Sequence, residues 1–201
     1  FCSVCLLCLC QPFMELWVGK NLMLSFEAVI CFVVYFFVKQ LNTLFNTYKD
    51  ASGMWHEDRF RPLTAALTNL VLNLILVQFI GIYGILISTV LAIVCVGMPW
   101  LLHNLFTVIF DRKKLGLFLK KLGFYCTVVF VSCVVSYGIC LFVNCGAIIT
   151  LLLRGIICCI IPNLIYYFAY RRTREYQGFL MLVDNMTRGK INGVLRKLGM
   201  N

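Results

Sequence analysis

The stretch TNLVLNLILVQFIGIYGILISTVLA, residues 68–92, holds two apolar segments with almost no loop between them. Gly81 and Gly84 permit a tight chain reversal there, because glycine adopts backbone conformations that other residues avoid. Gly84 and Ser88 are four positions apart, and small residues at this spacing let two membrane helices approach closely. The stretch therefore predicts a hairpin of two packed transmembrane helices.

The composition of the whole chain agrees with a membrane location. Hydrophobic residues make up 62% of the 201 positions and charged residues 13%, whereas a soluble domain has roughly 25% charged residues. The mean hydropathy is +0.92, and about 20 apolar residues suffice for one helix to cross a bilayer. We predict an all-α polytopic bundle over residues 1–170, with complete spans at 22–47, 63–80, 82–110, 121–144 and 147–170.

Residues 1–18 are apolar as well, but they lack both an initiating Met and the basic segment of a signal peptide. We interpret them as the end of a sixth span that begins upstream. On this interpretation the chain is a fragment of a longer membrane protein.

The basic residues mark one side of the membrane. The net charge is +10, and most of the 18 basic residues fall in alternate connections, whereas Lys20 is the only one on the opposite side. The positive-inside rule therefore makes the charged connections and the C-terminus cytoplasmic, and we expect no nucleic-acid partner. The basic residues on this side are Lys49, Arg59, Arg61, Arg112, Lys113, Lys114, Lys120, Lys121, Arg171, Arg172, Arg174, Arg188, Lys190, Arg196 and Lys197.

Residues 171–201 form a basic, amphipathic cytoplasmic tail. Cations alternate with apolar residues at helical spacing, which favours a helix lying on an anionic membrane surface. Gly189 and Gly193 weaken such a helix, so a frayed tail is the alternative. The apolar residues are Phe179, Leu182, Val183, Met186, Val194, Leu195 and Leu198.

Polar residues within the spans are the candidate substrate contacts, because ionisable groups are costly in hydrocarbon. Tyr35, Lys39, Asn42 and Asn46 share one helical face. Lys39 either extends to the membrane surface or faces a cavity. Arg154 either extends outward in the same way or holds an anion such as a phosphate.

Three further polar residues lie within spans. Glu27 is about 18 Å along the helix from Lys39, so the two cannot pair, and this carboxyl is the candidate for ion coupling. Asn69 and Asn73 face one neighbouring helix. For them a hydrogen bond between helices is favoured over a substrate contact, although both remain substrate candidates.

Pro99 is expected to bend its helix, either as a hinge or as a packing defect. The 12 cysteines lie largely within apolar segments, where unpaired thiols behave as small hydrophobes. We therefore predict no metal site.

No motif of a hydrolase, metalloprotease, nucleotide-binding loop or dinucleotide fold occurs, so we predict neither an enzyme nor a cofactor. The best case for an enzyme is the charged loop YKDASGMWHEDRFRPL, residues 48–63. It contains Asp50, His56, Glu57 and Asp58, but their spacing fits no metal or nucleotide motif. We interpret its charges as ordering a turn and setting the topology.

The charged loop and the hairpin after it resemble the bacterial O-antigen and capsular polysaccharide flippases of the multidrug/oligosaccharidyl-lipid/polysaccharide exporter superfamily. PFMELWVGK at 12–20 and IIPNLIYYFAYRRTREY at 160–176 are also similar to that family. The loop residues that carry the resemblance are Tyr48, Asp50, Gly53, Trp55, Asp58, Arg59 and Pro62.

The resemblance implies a MATE-like transporter of twelve to fourteen helices, of which this chain is the C-terminal part. It implies a multi-pass protein of the bacterial cytoplasmic membrane that moves undecaprenyl-pyrophosphate-linked oligosaccharide by alternating access. Further implied partners are membrane lipids, a proton or sodium counter-ion and the polysaccharide polymerase machinery. The implied cationic cavity assigns substrate binding to Lys39 and Arg154, with Asn42, Asn69 and Asn73 as further candidates.

Two other functions stay open at this point. The first is a multidrug or small-cation exporter of the same fold, which acidic residues deep in the cavity would favour. The second is a membrane enzyme of cell-envelope assembly, with a pocket around Asp50, His56 and Asp58.

Overall fold

The computed structural model describes residues 1–19, 23–143, 146–173, 176, 178, 181–183 and 186, and this part of the chain contains helices but no strand. Five helices are long and apolar enough to cross a membrane, which agrees with the predicted polytopic bundle, and a shorter apolar helix precedes them. The helices are α1 (Cys2–Trp17), α2 (Phe26–Ala51), α3 (Arg61–Ile80), α4 (Tyr83–Ala92), α5 (Met98–Val108), α6 (Leu115–Leu141) and α7 (Ala147–Tyr170).

Several helix ends differ from the predicted spans. Helix α2 begins at Phe26 rather than 22, because the Ser25 hydroxyl accepts a hydrogen bond from the Ala28 N–H and caps the helix. It continues to Ala51 rather than 47, and α6 begins at Leu115 rather than 121 and ends at Leu141 rather than 144. Helix α3 begins at Arg61 rather than 63. Hydropathy locates the apolar part of a helix, whereas caps and glycines determine its ends.

The predicted span 82–110 is one rod, Tyr83–Val108, with a break inside it. A π-helical turn, Ile93–Gly97, joins α4 to α5, and the Met98 N–H bonds back to the Ile93 carbonyl. Pro99 follows immediately and has no N–H to donate, so it cannot continue the regular hydrogen-bond ladder. The regular α-helix is therefore interrupted by a π-turn just before Met98 and Pro99, an arrangement that occurs frequently at functional sites.

Side-chain contacts define the two ends of the bundle. At one end, which we call the basic end, the Asn104 amide of α5 donates to the Glu57 carbonyl in the charged loop at 3.2 Å. At the opposite end, Ser25 and Tyr83 share a hydrogen bond of 2.7 Å between their hydroxyl oxygens. A core at the basic end joins the charged loop to α2 and α5, and it consists of Phe45, Met54, Leu101, Leu102, Leu105 and Phe106.

Helices α2 to α5 pack on one another, and α1, α6 and α7 form a second group. The two groups meet where α1 packs on α2, where Phe26 of α2 stacks on Tyr137 of α6, and where Phe118 of α6 contacts Phe45 and Phe106.

In the tail, Leu182, Val183 and Met186 have helical backbone. The other apolar residues of the predicted tail helix, most of the tail's basic residues, and Lys20 lie outside the described residues.

Candidate functional site

The charged loop folds around one buried carboxylate, that of Asp58. The Arg61 guanidinium donates to both Asp58 oxygens, with Nε 2.7 Å from Oδ1 and Nη2 2.8 Å from Oδ2. Lys49 Nζ lies 3.5 Å from Asp58 Oδ2, and the Asp58 side chain is only 2% exposed. A two-pronged guanidinium–carboxylate pair is the strongest form of such contact.

Two neighbours extend this group. Arg61 Nη2 also donates to the Asn46 side-chain oxygen at 2.7 Å, and Lys49 Nζ lies 4.4 Å from the centre of the Trp55 ring. We call Asn46, Lys49, Asp58 and Arg61 the ion-pair clasp. Because its members come from α2, the loop and α3, the clasp ties the end of α2 to the start of α3.

The acids and the histidine of the charged loop do not share one pocket. Asp58 already accepts from two cations, whereas Asp50 is exposed and lies 3.1 Å from Lys49. His56 is exposed as well, and Glu57 contributes its carbonyl to the contact with Asn104. The other residues of the resemblance turn the chain or lie on its surface: Gly53 has a φ of 69°, and Tyr48, Trp55, Arg59 and Pro62 are exposed.

The polar face of α2 carries Lys39 away from the bundle. Lys39 is exposed, while Tyr35 and Asn42 are half-buried. The Asn42 side-chain oxygen is buried and has no hydrogen-bond partner among the described residues. The Asn46 amide donates to the Asn42 backbone carbonyl at 2.8 Å, so the face continues into the clasp.

Arg154 reaches toward the end of α6. Its Nη2 donates to the Val143 carbonyl at 3.2 Å, and Val143 is the second residue after the end of α6. Its Nε is buried and has no partner in the described part of the chain. One nitrogen of the Arg154 guanidinium thus bonds beyond the end of α6, while another has no partner among the described residues.

The two asparagines of α3 bind the neighbouring helix. The Ser88 hydroxyl lies 2.9 Å from the Asn73 side-chain oxygen and from the Ile85 carbonyl of its own helix, so it shares its proton between them. The Thr89 hydroxyl lies 3.4 Å from the Asn69 side-chain oxygen and 3.0 Å from the Ile85 carbonyl. Ser88 is completely buried. The amides thus hold α3 against α4, as the hydrogen-bond interpretation of these residues expects.

Replacing Ser88 with Ala is expected to lower the free energy of unfolding in detergent micelles by about 0.6 kcal/mol, the average for a hydrogen bond between membrane helices. Thr127→Ala is a matched control, because among the described residues the Thr127 hydroxyl bonds to the Gly123 carbonyl of its own helix and to no other helix. Unfolding by added SDS, followed by circular dichroism, measures both variants. Equal stability of the two would show that the Ser88–Asn73 contact contributes nothing.

Glu27 lies at a helix end and not deep in a span. It is the second residue of α2 and is exposed. The unpaired N–H groups of a helix N-terminus favour a carboxylate at this position. The sequence analysis placed this ion-coupling candidate within a span, whereas the structure places Glu27 at the start of α2.

An apolar cavity of about 700 Å³ lies between α1, α2 and α6. The α2 residues that line it occupy the face opposite Lys39, since successive helical residues turn by about 100°. Sequence reasoning missed the cavity because the part of α2 before Lys39 is apolar on nearly every side. Hydropathy therefore does not distinguish the residues that face the cavity from those that face lipid. Its lining includes Phe26, Ile30, Val33, Phe37, Phe130 and Tyr137.

The structure does not bring the predicted substrate residues into one site. Arg154 contacts the end of α6, Asn69 and Asn73 bond to α4, and Lys39 lies on the exposed face of α2. What it does provide is a buried ionic clasp at the basic end, a half-buried arginine at the opposite end and an apolar cavity beside α2. In comparisons with family models, curated proteins and solved structures, the chain matches none of them.

Proposed function

We propose that the chain is part of a bacterial flippase that moves lipid-linked oligosaccharide repeat units across the cytoplasmic membrane for surface polysaccharide synthesis. The observation that carries this proposal is the resemblance of residues 48–92 to the O-antigen and capsular flippases. It is supported by five apolar helices of membrane-spanning length. Under this proposal the basic end is cytoplasmic, in keeping with its positive charge.

The chemistry of such a substrate suits the surfaces of α2 and α7. A lipid-linked oligosaccharide combines a hydrocarbon chain, a pyrophosphate and sugars. Helix α2 has one face on the apolar cavity and the opposite face polar, with Lys39 and Asn42. Arg154 adds a guanidinium with a free buried donor, and a guanidinium binds phosphate well.

Alternating access also needs a helix that can change shape. The π-turn Ile93–Gly97 with Pro99 interrupts the Tyr83–Val108 rod. Such an interruption weakens the hydrogen-bond ladder at one place, so the two halves of the rod can tilt relative to each other. We assign this break the role of a bending point during transport.

The charges within α2 and α7 favour an anionic substrate over a drug or small cation. Between the first turn of α2 and the clasp, the charged residue of that helix is Lys39, and the charged residue of α7 is Arg154. The acidic candidate, Glu27, lies at a helix end. The enzyme alternative is weakened, because the Asp58 carboxylate is already bound by Arg61 and Lys49.

Complementation tests the proposal. The full-length protein, expressed in a bacterial strain that lacks its own repeat-unit flippase, is expected to restore surface polysaccharide. Lys39→Ala and Arg154→Ala should each abolish or strongly reduce this restoration, since each removes a positive charge offered to the pyrophosphate. Lys113→Ala is the control, because Lys113 is an exposed cation of the connection before α6.

Membrane insertion of every variant is measured on immunoblots of the membrane fraction. Failure of the unaltered protein to restore polysaccharide would contradict the proposal. If it restores polysaccharide and both variants do so equally well, the flippase function is supported. The side chains of Lys39 and Arg154 are then assigned to the membrane surface and not to substrate binding. Efflux of cationic drugs without polysaccharide would favour the exporter alternative.

A further inference from the structure

Three buried cysteines meet where α1, α6 and α7 come together. Cys8, Cys140 and Cys158 each belong to a different helix, and their sulfur atoms all lie within 4.8 Å of one another. Their side chains are almost completely buried, at 1%, 1% and 0% exposure. Cys5, which is half-buried, approaches Cys158 as well, but it does not belong to the set whose sulfurs all lie within 4.8 Å of one another. We call Cys8, Cys140 and Cys158 the thiol cluster.

Packing alone does not require this convergence. A buried thiol that serves as a small hydrophobe is satisfied by any apolar neighbour, and other cysteines of the chain, such as Cys95 and Cys159, are exposed. The members of the thiol cluster are far apart in sequence, so only the tertiary structure brings them together. Several sulfurs facing one point form a ligand set for a soft metal ion.

We propose that Cys8, Cys140 and Cys158 bind one Cu(I) ion through their three sulfur atoms. Thiolates select Cu(I), zinc and iron–sulfur clusters. Structural zinc is almost always four-coordinate, and iron–sulfur clusters are held by four cysteines. The three fully buried sulfurs supply a three-coordinate set, which is the number that Cu(I) accepts.

The spacing suits a single ion. With metal–sulfur bonds of about 2.3 Å, three sulfurs around one ion lie about 4 Å from one another. The sulfurs of the thiol cluster are within 4.8 Å of one another, so binding needs only a small inward movement.

Copper binding to the purified protein in detergent micelles, titrated with Cu(I) under a reducing buffer, tests the proposal. Native mass spectrometry is expected to show one copper ion per chain, and X-ray absorption a shell of sulfur ligands. Cys158→Ser should lose this binding, whereas the matched control Cys95→Ser, at an exposed thiol in the π-turn, should retain it. Copper retained equally by both variants would overturn the proposal.

The unaltered protein provides a readout that does not depend on a variant folding. In SDS at concentrations that begin to open the bundle and expose the thiol cluster, Cu(I) should slow maleimide labelling of Cys8, Cys140 and Cys158 relative to exposed Cys2 and Cys159, as resolved by peptide mass spectrometry. Equal labelling with and without copper would contradict a site at this place. A parallel titration with Zn²⁺ distinguishes the metals: stoichiometric zinc binding that needs Cys5 as well would indicate a four-thiolate zinc site instead and overturn the Cu(I) assignment.

Discussion

Asp58→Asn is expected to lower the free energy of unfolding by about 3–5 kcal/mol, the usual cost of removing one partner from a buried ion pair. The substitution keeps the shape of the side chain but leaves the guanidinium of Arg61 and the ammonium of Lys49 without their shared counter-charge. The Arg61 side chain is 9% exposed and the Lys49 side chain 10%, so water replaces the lost carboxylate only poorly. SDS-induced unfolding in micelles, followed by circular dichroism, measures the loss.

The matched control for Asp58 is Asp50→Asn. Asp50 also lies beside Lys49, but its side chain is 51% exposed, and exposed ion pairs contribute about 0–1 kcal/mol. A double-mutant cycle with Arg61→Met adds a second check, since contacting partners are not additive. Arg61→Met should cost less in the Asp58→Asn protein than in the unaltered one. Equal stability of Asp58→Asn and Asp50→Asn would show that the clasp does not stabilise the α2–α3 junction.

Gly84→Ala is expected to have the second largest effect, because the added methyl group has no room. A Cβ at this position would lie 2.6 Å from the Leu76 carbonyl carbon and 2.8 Å from the Val77 nitrogen. Both atoms are backbone, so α3 and α4 would have to move apart. Overpacking of this kind costs about 1–3 kcal/mol, and the separation would also weaken the Ser88–Asn73 hydrogen bond. The same unfolding assay measures the change.

Gly123→Ala is the matched control for Gly84. Gly123 lies within α6, and a Cβ there would meet no atom within 4 Å. Alanine is favoured over glycine in a helix interior by about 1 kcal/mol, so this variant should be as stable as the unaltered protein or more stable. If Gly84→Ala were also neutral, the close approach of α3 and α4 would not be needed for the stability of the hairpin.

The clasp and the hairpin share α3, one at each end. Arg61 begins α3 inside the clasp, and Gly81 ends it with a φ of 62° at the hairpin turn. Most of α3 between them is exposed, so its position depends on these two ends and on the asparagines that bond to α4. The two large predictions therefore test two independent attachments of the same helix.

Much of the fold could be predicted from local patterns in the sequence. Long apolar runs form helices in a bilayer, because an α-helix bonds its backbone N–H and C=O groups within one segment and leaves few of them facing hydrocarbon. Gly84 and Ser88 correctly predicted the close helix pair, because small residues at this spacing permit two helices to approach closely whatever the rest of the sequence is. Pro99 likewise predicted a break, because the missing N–H is a property of the residue itself.

The candidate site depended much more on tertiary contacts. The direction of Arg154 was left open by the sequence, and only the contact with the Val143 carbonyl shows where its guanidinium reaches. Asp58 was one of several acids in a charged loop, and only the fold buries it between Arg61 and Lys49. Cys8, Cys140 and Cys158 looked like ordinary apolar positions until three helices brought them together.

The sequence by itself thus determined that this is a helical membrane protein with a tight hairpin and one strongly basic end, since hydropathy, small-residue spacing and charge are local properties. Only the tertiary structure decided which polar groups meet, which thiols converge and which apolar face lines the cavity. The physical reason is that a membrane helix is apolar on the side that faces lipid and on the side that faces protein. The two sides of the helix therefore differ little in hydropathy, and hydropathy does not indicate which neighbour each face will contact.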